Sequence, residues 1–439
     1  MEWSYVLSLM VGLLFIGFAS GMPVAFVFIA LSIFGVYVWY GGLEALAVLT
    51  HSAFGKLTGF VLVPVPLFIL MGDNLAYTGI IRLLLDAIDK WVGRIPARLS
   101  FIAVAAGTLF GALSGSALGV TGMMTTVLVP EMKRRNYSTV LSLGPVVAGG
   151  TLAIVIPPTS IGIVLAAVAK VSIAEFLLSL FIPGIVTAAC YAIYILIRAT
   201  LQPHLTPLAL QGAEPISRKE RLKTLQYILP VGVIIFLVTG VIFLGVATAS
   251  EAAALGALGS FILAAAYRRL TFEATRKALF GTVRLTSATF LIYVGSAAFS
   301  ELLAFTGATA GLVNLAGKLI EHPIPVLVVM QLIIVILGCL IDEISIIMIS
   351  IPIYMPIISV FGFDPIWFCA VTLVNLSLGL MSPPFGLCLF VMKAGLPNIS
   401  MREIWMSVIP FCLCNLLSIA ILMAFPKISL WLPNLMLGK

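Results

Sequence analysis

Charge is what this sequence has least of. Only 9% of its 439 residues are Asp, Glu, Lys or Arg, against 62% that are hydrophobic. So little charge cannot cover a soluble surface of this size, and the chain reads as a polytopic membrane protein. Histidine is also scarce: His51, His204 and His322 are the only three, and each falls in a polar stretch. Ser114, the best-placed hydroxyl in an apolar run, therefore has no base beside it, which argues against an intramembrane hydrolase and against any enzyme. Metal-ligand spacing is missing too. Cys190, Cys339, Cys369, Cys388, Cys412 and Cys414 sit in apolar segments and read as small hydrophobes, with no cofactor implied. The start, Met1-Glu2-Trp3, has no basic region and no small-residue cleavage site after it, so the first apolar run is expected to be a retained helix. The net charge of +7 is no nucleic-acid signal, because the basic residues fall between apolar runs and report topology instead.

What is present is apolar length, enough for about ten to twelve crossings at roughly 20 residues each, with some half-membrane segments. Runs at 5–18 and 22–40 form a first pair, and 43–57, with Glu44, His51 and Lys56, is amphipathic and is expected to lie along the membrane. A span over 59–77 is followed by a charged stretch holding Arg82, Asp86, Asp89, Lys90, Arg94 and Arg98. Residues 99–132 are too short for two full spans and predict a hairpin that dips in and returns, its tip at Ser114-Gly115-Ser116. Spans at 227–244 and 247–266, an amphipathic stretch with Arg268, Arg269, Arg276, Lys277 and Arg284, a second hairpin over 325–360 with its tip at 338–343, and a last span at 403–425 complete the chain.

The most unusual stretch is Gly149-Gly150-Thr151-Leu152-Ala153-Ile154-Val155-Ile156-Pro157-Pro158-Thr159-Ser160-Ile161-Gly162. Two adjacent prolines remove two backbone donors inside an apolar run and leave the carbonyls four residues back without helical partners. Such a break survives in a membrane only where it is buried in protein or lines a cavity. The freed carbonyls, with the hydroxyls of Thr151, Thr159 and Ser160, make a donor set suited to a hard cation. One Pro-Pro alone is most simply a kink. A second, Ser382-Pro383-Pro384-Phe385-Gly386, lies about 226 residues on, and paired breaks in two halves point to a secondary-transporter binding site.

Other segments echo at the same spacing. Leu75-Ala76-Tyr77-Thr78-Gly79 is matched by Leu303-Ala304-Phe305-Thr306-Gly307, and Pro130 by Pro356. With the N-terminus outside and both hairpins returning to their starting sides, roughly 19 of the 24 Lys and Arg fall inside. An odd number of crossings then separates the echoing spans, which predicts an inverted repeat. The expected division is 1–58 and 226–286 as scaffold helices, 59–198 and 287–439 as the two repeats, and 199–225 as a cytoplasmic linker.

The GxLSGSAxG hairpin, the GGTLAIVIPPTSIG break, Ala249-Ser250-Glu251-Ala252-Ala253-Ala254 and the SPPFG break together resemble the large membrane subunit of the TRAP transporters, the DctM-like family of tripartite ATP-independent periplasmic transporters. Ser250 stands where that family usually has Pro. The resemblance spans nearly the whole chain. It implies an elevator-type fold in which hairpins and broken helices move as a block against a scaffold, in a bacterial inner membrane, where the charge bias places both termini on the periplasmic side. It further implies sodium-driven uptake of an organic acid, a separate small four-helix membrane subunit (DctQ-like), and a soluble periplasmic binding protein (DctP-like). The alternative from the residues is a stand-alone sodium- or proton-coupled carboxylate symporter of related fold, which needs no binding protein.

Two cation sites are expected. The first gathers Ser114, Gly115, Ser116, Thr151, Pro157, Thr159 and Ser160; the bland reading of its Gly-Ser tip is close helix packing. The second gathers Gly338, Asp342, Glu343, Ser382, Pro383 and Gly386. Carboxylates in apolar segments are costly and usually functional, although a wet vestibule would also accommodate Asp342 and Glu343. Ser116, Thr159, Ser160 and Ser382 are the expected substrate contacts, aided by positive helix N-termini. Glu301, Asp73 and Asn74 are expected to stabilise loops or helix ends, and Glu251 to cap a helix.

Overall fold

The structure, a computed structural model, describes residues 3–39, 46–80, 83, 84, 87, 95–205, 218–319 and 323–436. Every regular element among them is helical. The chain opens with α1 (Trp3–Ala19), α2 (Val24–Trp39), α3 (Leu46–Leu57) and α4 (Pro64–Tyr77). The span expected from residue 59 starts later, because Pro64 sits at the first helical position and only a short 3-10 turn, Phe60–Leu62, precedes it. The charged residues Arg82, Asp86, Asp89, Lys90 and Arg94 lie outside the described residues, as do Glu44 and His322.

The first hairpin is α5 (Arg98–Ser114) and α6 (Ala117–Arg134). Gly115 ends α5 at φ +58°, a left-handed conformation open to glycine, and the Ser116 hydroxyl caps α6 by accepting from the Gly119 N–H. The first broken helix is α7 (Thr139–Leu152) and α8 (Ser160–Ala169), with Thr159 capping α8. Then come α9 (Ile173–Ser179) and α10 (Phe181–Leu201). Residues 206–217 of the expected linker lie outside the described residues, and its edges, 199–201 and 218–225, are helical.

Next are α11 (Arg218–Ile235), α12 (Ala249–Ala266), α13 (Phe272–Phe305) and α14 (Ala308–Leu319). Glu251 closes a capping box with Thr248 at the start of α12, the role expected of it. The 34 residues of α13 merge the amphipathic stretch with the span after it, so the boundary drawn between 286 and 287 falls inside one helix. The second hairpin is α15 (Pro323–Gly338) and α16 (Glu343–Val360), followed by the broken pair α17 (Pro365–Met381) and α18 (Leu387–Gly395), then α19 (Met401–Ala424) and α20 (Lys427–Met436). Six helices among the described residues are long and apolar enough to cross a membrane. Both Pro-Pro bonds are cis.

The helices pack in two groups. In one, α4 lies against α12 and α13, and α2 and α3 against α13. In the other, α5, α6 and α19 surround α7, α15 and α19 flank α17, and α10 lies along α19. Residues 59–77 therefore pack chiefly with the helices expected to be scaffold, although they were grouped with the first repeat. Asn74 shows how: its Nδ2 donates to Ser260 Oγ on α12 at 3.0 Å, a buried bond 186 residues apart in sequence. The groups meet where α13 touches α16 and where α4 touches α5 and α8.

Candidate functional site

The first break is fully inside the protein. Thr151, Ala153, Ile154, Val155 and Thr159 have no exposed surface, and Ser160 has 6%. Small residues bring the hairpin onto it. A Cβ added at Gly111 would lie 2.5 Å from Ala153 Cα, and one at Gly107 would lie 2.0 Å from the Gly149 carbonyl oxygen. The tip follows: Gly115 rests against the Ser160 N–H and hydroxyl, where a Cβ would sit at 3.0 Å from each. Gly115, Thr159 and Ser160 thus come together as expected, and Ser116 stands next to them at the α6 N-terminus. The Ser114 side chain is outside the described residues. Thr151 lies one turn before the break, its hydroxyl donating to Ala148 O at 3.0 Å while its oxygen can still accept.

The second break repeats the arrangement with different chemistry. Gly338 on α15 meets Gly379 on α17 backbone to backbone, a Cβ on either being 2.7 Å from the other's Cα. Asp342 occupies the position of Ser116 and does the same job: its Oδ2 accepts from the Ser345 N–H at 3.0 Å and its Oδ1 from the Ser345 hydroxyl at 2.5 Å. One lone pair set of each oxygen is therefore used locally, and the carboxylate still presents capacity to a cation. Glu343 begins α16 beside it, partly buried. Ser382 is 7% exposed, donates to Leu378 O at 2.8 Å, and lies within hydrogen-bonding reach of the Cys339 thiol at the tip. Pro383 sits in the turn that the Gly386 N–H closes onto Ser382 O at 3.0 Å.

The two breaks approach each other. Thr151 Oγ1 stands 3.9 Å from Met381 Sδ, the residue that ends α17. Hydroxyls, carbonyls and one or two carboxylates gathered at paired breaks are hard oxygen donors, the class that takes alkali or alkaline-earth cations.

Sequence reasoning missed the buried amides around these breaks. Gln331 on α15 donates to Thr372 Oγ1 at 3.1 Å and receives the Asn375 amide, 2.8 Å away, tying the hairpin to α17. Tyr191 and Asn415 join α10 to α19 at 3.0 Å with no exposed surface. Uncharged amides inside apolar runs were the available signal. Glu301 lies elsewhere, on a cavity of about 260 Å³ where α13 and α14 meet α8 and α16, together with Lys170, Ser296 and Met348.

Comparison with known proteins agrees with this architecture. Residues 11–428 match the family model described as "Tripartite ATP-independent periplasmic transporter, DctM component". An uncharacterized Salmonella typhimurium protein, YgiK, is 30% identical over 99% of this chain and 98% of its own. The C4-dicarboxylate TRAP transporter large permease protein DctM of Pseudomonas aeruginosa is 29% identical over 85% of this chain and 86% of its own. Among solved structures, the Alcanivorax borkumensis YdaH transporter, reported to have an unusual topology, superposes with a TM-score of 0.62 at 16% identity, covering 88% of this chain and 90% of that one, a likeness of fold alone. The Pseudomonas aeruginosa relative is named a permease rather than an enzyme, and large permeases of the family work with a small membrane subunit and a periplasmic binding protein. This chain, a multi-pass membrane protein, belongs to the DctM-component family of tripartite ATP-independent periplasmic transporters.

Proposed function

We propose that the chain is the large subunit of a sodium-coupled importer of an organic acid. The observation that carries this reading is the meeting of two helix breaks, each closed by the tip of a hairpin. In the first cation site, Ser114, Gly115, Ser116, Thr151, Pro157, Thr159 and Ser160 supply hydroxyl and backbone oxygens. In the second, Gly338, Asp342, Glu343, Ser382, Pro383 and Gly386 do so, with Asp342 adding charge. The substrate carboxylate lies between them against Ser116, Thr159, Ser160 and Ser382, where the α6, α8 and α16 N-termini offer partial positive charge. Bound sodium offsets the substrate's charge, so neither moves without the other.

In this reading α5–α10 and α15–α20 slide as a block past the remaining helices, an elevator. The halves run in opposite senses through a bacterial inner membrane, with both termini periplasmic and most Lys and Arg inside. A separate four-helix subunit steadies the scaffold, and a periplasmic protein delivers the acid. Relatives carry names for C4-dicarboxylate, sialic acid and ectoine. A carboxylate is the group common to these, and it sets the substrate class here.

The test is uptake of labelled organic acid into proteoliposomes holding this chain and its small subunit. Import that requires both an inward sodium gradient and the binding protein is expected. Sodium-driven import without the binding protein would instead establish a stand-alone symporter.

A further inference from the structure

The two breaks approach at Thr151 and Met381, and a second, longer connection joins them. It begins at Asn415 on α19, which has no exposed surface. Its Nδ2 donates to the Tyr191 hydroxyl at 3.0 Å and to Ser377 Oγ at 2.9 Å. An amide nitrogen has two hydrogens, and these two bonds use both. Ser377 passes its own proton to Val374 O at 2.6 Å. The Tyr191 hydroxyl, having accepted from Asn415, lies within hydrogen-bonding reach of Thr151, and Thr151 passes its proton to Ala148 O at 3.0 Å. The connection thus runs from Asn415 toward both broken helices.

The ends of this chain are equivalent. Thr151 and Ser377 are about 226 residues apart, the spacing of the internal echo. Each stands in the last turns before its break and returns its hydroxyl proton to the carbonyl three residues back. The middle is not symmetric: Tyr191 and Asn415 are unlike residues on different helices, one following each half. Corresponding positions of the two broken helices are thus tied by a buried bridge. In a low-dielectric interior such a bridge has no water to substitute for a lost partner, so a shift at one end is felt at the other.

We propose that Tyr191 and Asn415 are positioning residues that couple the two cation sites: closing the first break around its ion sets the geometry of the second. This rests on the sodium-coupled reading above. Neither side chain contacts an ion. They act through Thr151 and Ser377, which fix where each helix stops.

The experiment is the sodium dependence of uptake by the assembled transporter. Tyr191→Phe keeps the ring and deletes the link to Thr151, and Asn415→Leu deletes both amide bonds. Thr187→Val is the control. It removes a buried hydrogen bond of 2.7 Å to Ser418 Oγ across the same α10–α19 contact, without touching the bridge. Two coupled sites give a Hill coefficient of up to about 2 for sodium, and uncoupled ones approach about 1. Tyr191→Phe and Asn415→Leu are expected to fall to about 1, the double variant no lower, while Thr187→Val keeps the wild-type value. Unchanged cooperativity in a folded, sodium-dependent Tyr191→Phe overturns the coupling alone. An equal loss in Thr187→Val also overturns it, as general loosening of the α10–α19 contact. Wild-type uptake indifferent to sodium overturns the cation reading and the coupling with it.

Discussion

At the scale of single residues, the informative positions are those where one atom decides the backbone. Gly115 has φ +58° and leaves no room toward Ser160 for a side chain. Gly115→Ala therefore carries a left-handed backbone and a crowded contact, and is expected to raise the sodium concentration for half-maximal uptake about tenfold, equivalent to about 1.4 kcal/mol. A sodium titration that matches wild type would remove the tip from the first site. Asp342 has two roles that substitutions can separate. Asparagine keeps one oxygen to accept from the Ser345 N–H, so Asp342→Asn removes the charge while holding the backbone cap, and should weaken sodium dependence while the melting temperature holds. Asp342→Ala also removes the cap and should cost about 1 kcal/mol of stability. If Asp342→Asn titrates like wild type, Asp342 is only a cap.

At the scale of elements, the helix–helix contacts explain why some features were legible in sequence and others not. Hairpin tips and breaks announce themselves locally: Pro157-Pro158 and Pro383-Pro384 remove donors whatever surrounds them, and Ser116 and Asp342 are cap residues three before a glycine or serine N–H. The continuity of α13 was hidden, because the basic face over 268–284 has the pattern of a surface helix and nothing before 287 signals that it runs on. The bridge through Asn415 was hidden as well, since its partners lie 224 and 38 residues away and only folding brings them together. Gly338 and Gly379 illustrate a contact with no tolerance. Gly338→Ala puts a methyl onto backbone at 2.7 Å and should cost about 1–3 kcal/mol, whereas Gly12→Ala, in open space on α1, should be neutral or stabilising. Thermal melts of the two purified variants compare them directly; equal melting temperatures would contradict the close packing.

At the scale of the whole molecule, the contact between the two helix groups is the one that the proposed elevator would have to remake. Pro352 lacks an N–H, so the Met348 carbonyl on α16 has no helical partner, and Ser296 of α13 donates to it across the boundary. In the proposed elevator, a sliding block would have to break that bond. Ser296→Ala is expected to remove roughly 0.6 kcal/mol from this arrangement, about a threefold change in the ratio of states. Fluorescence energy transfer between labels on α13 and α16 would read it, and unchanged populations would show that the bond does not distinguish the states.

The helix that makes this bond is also the longest. At 34 residues α13 extends about 51 Å, against a hydrocarbon core of about 30 Å. Arg276, Lys277 and Arg284 all lie in its first half, toward the end that begins at Phe272. Some of that length must stand clear of the lipid, and basic side chains hold it there. In the proposed elevator the surplus makes α13 a mast: a post footed in the bilayer whose overhang would keep a constant height while its neighbours ride up and down beside it.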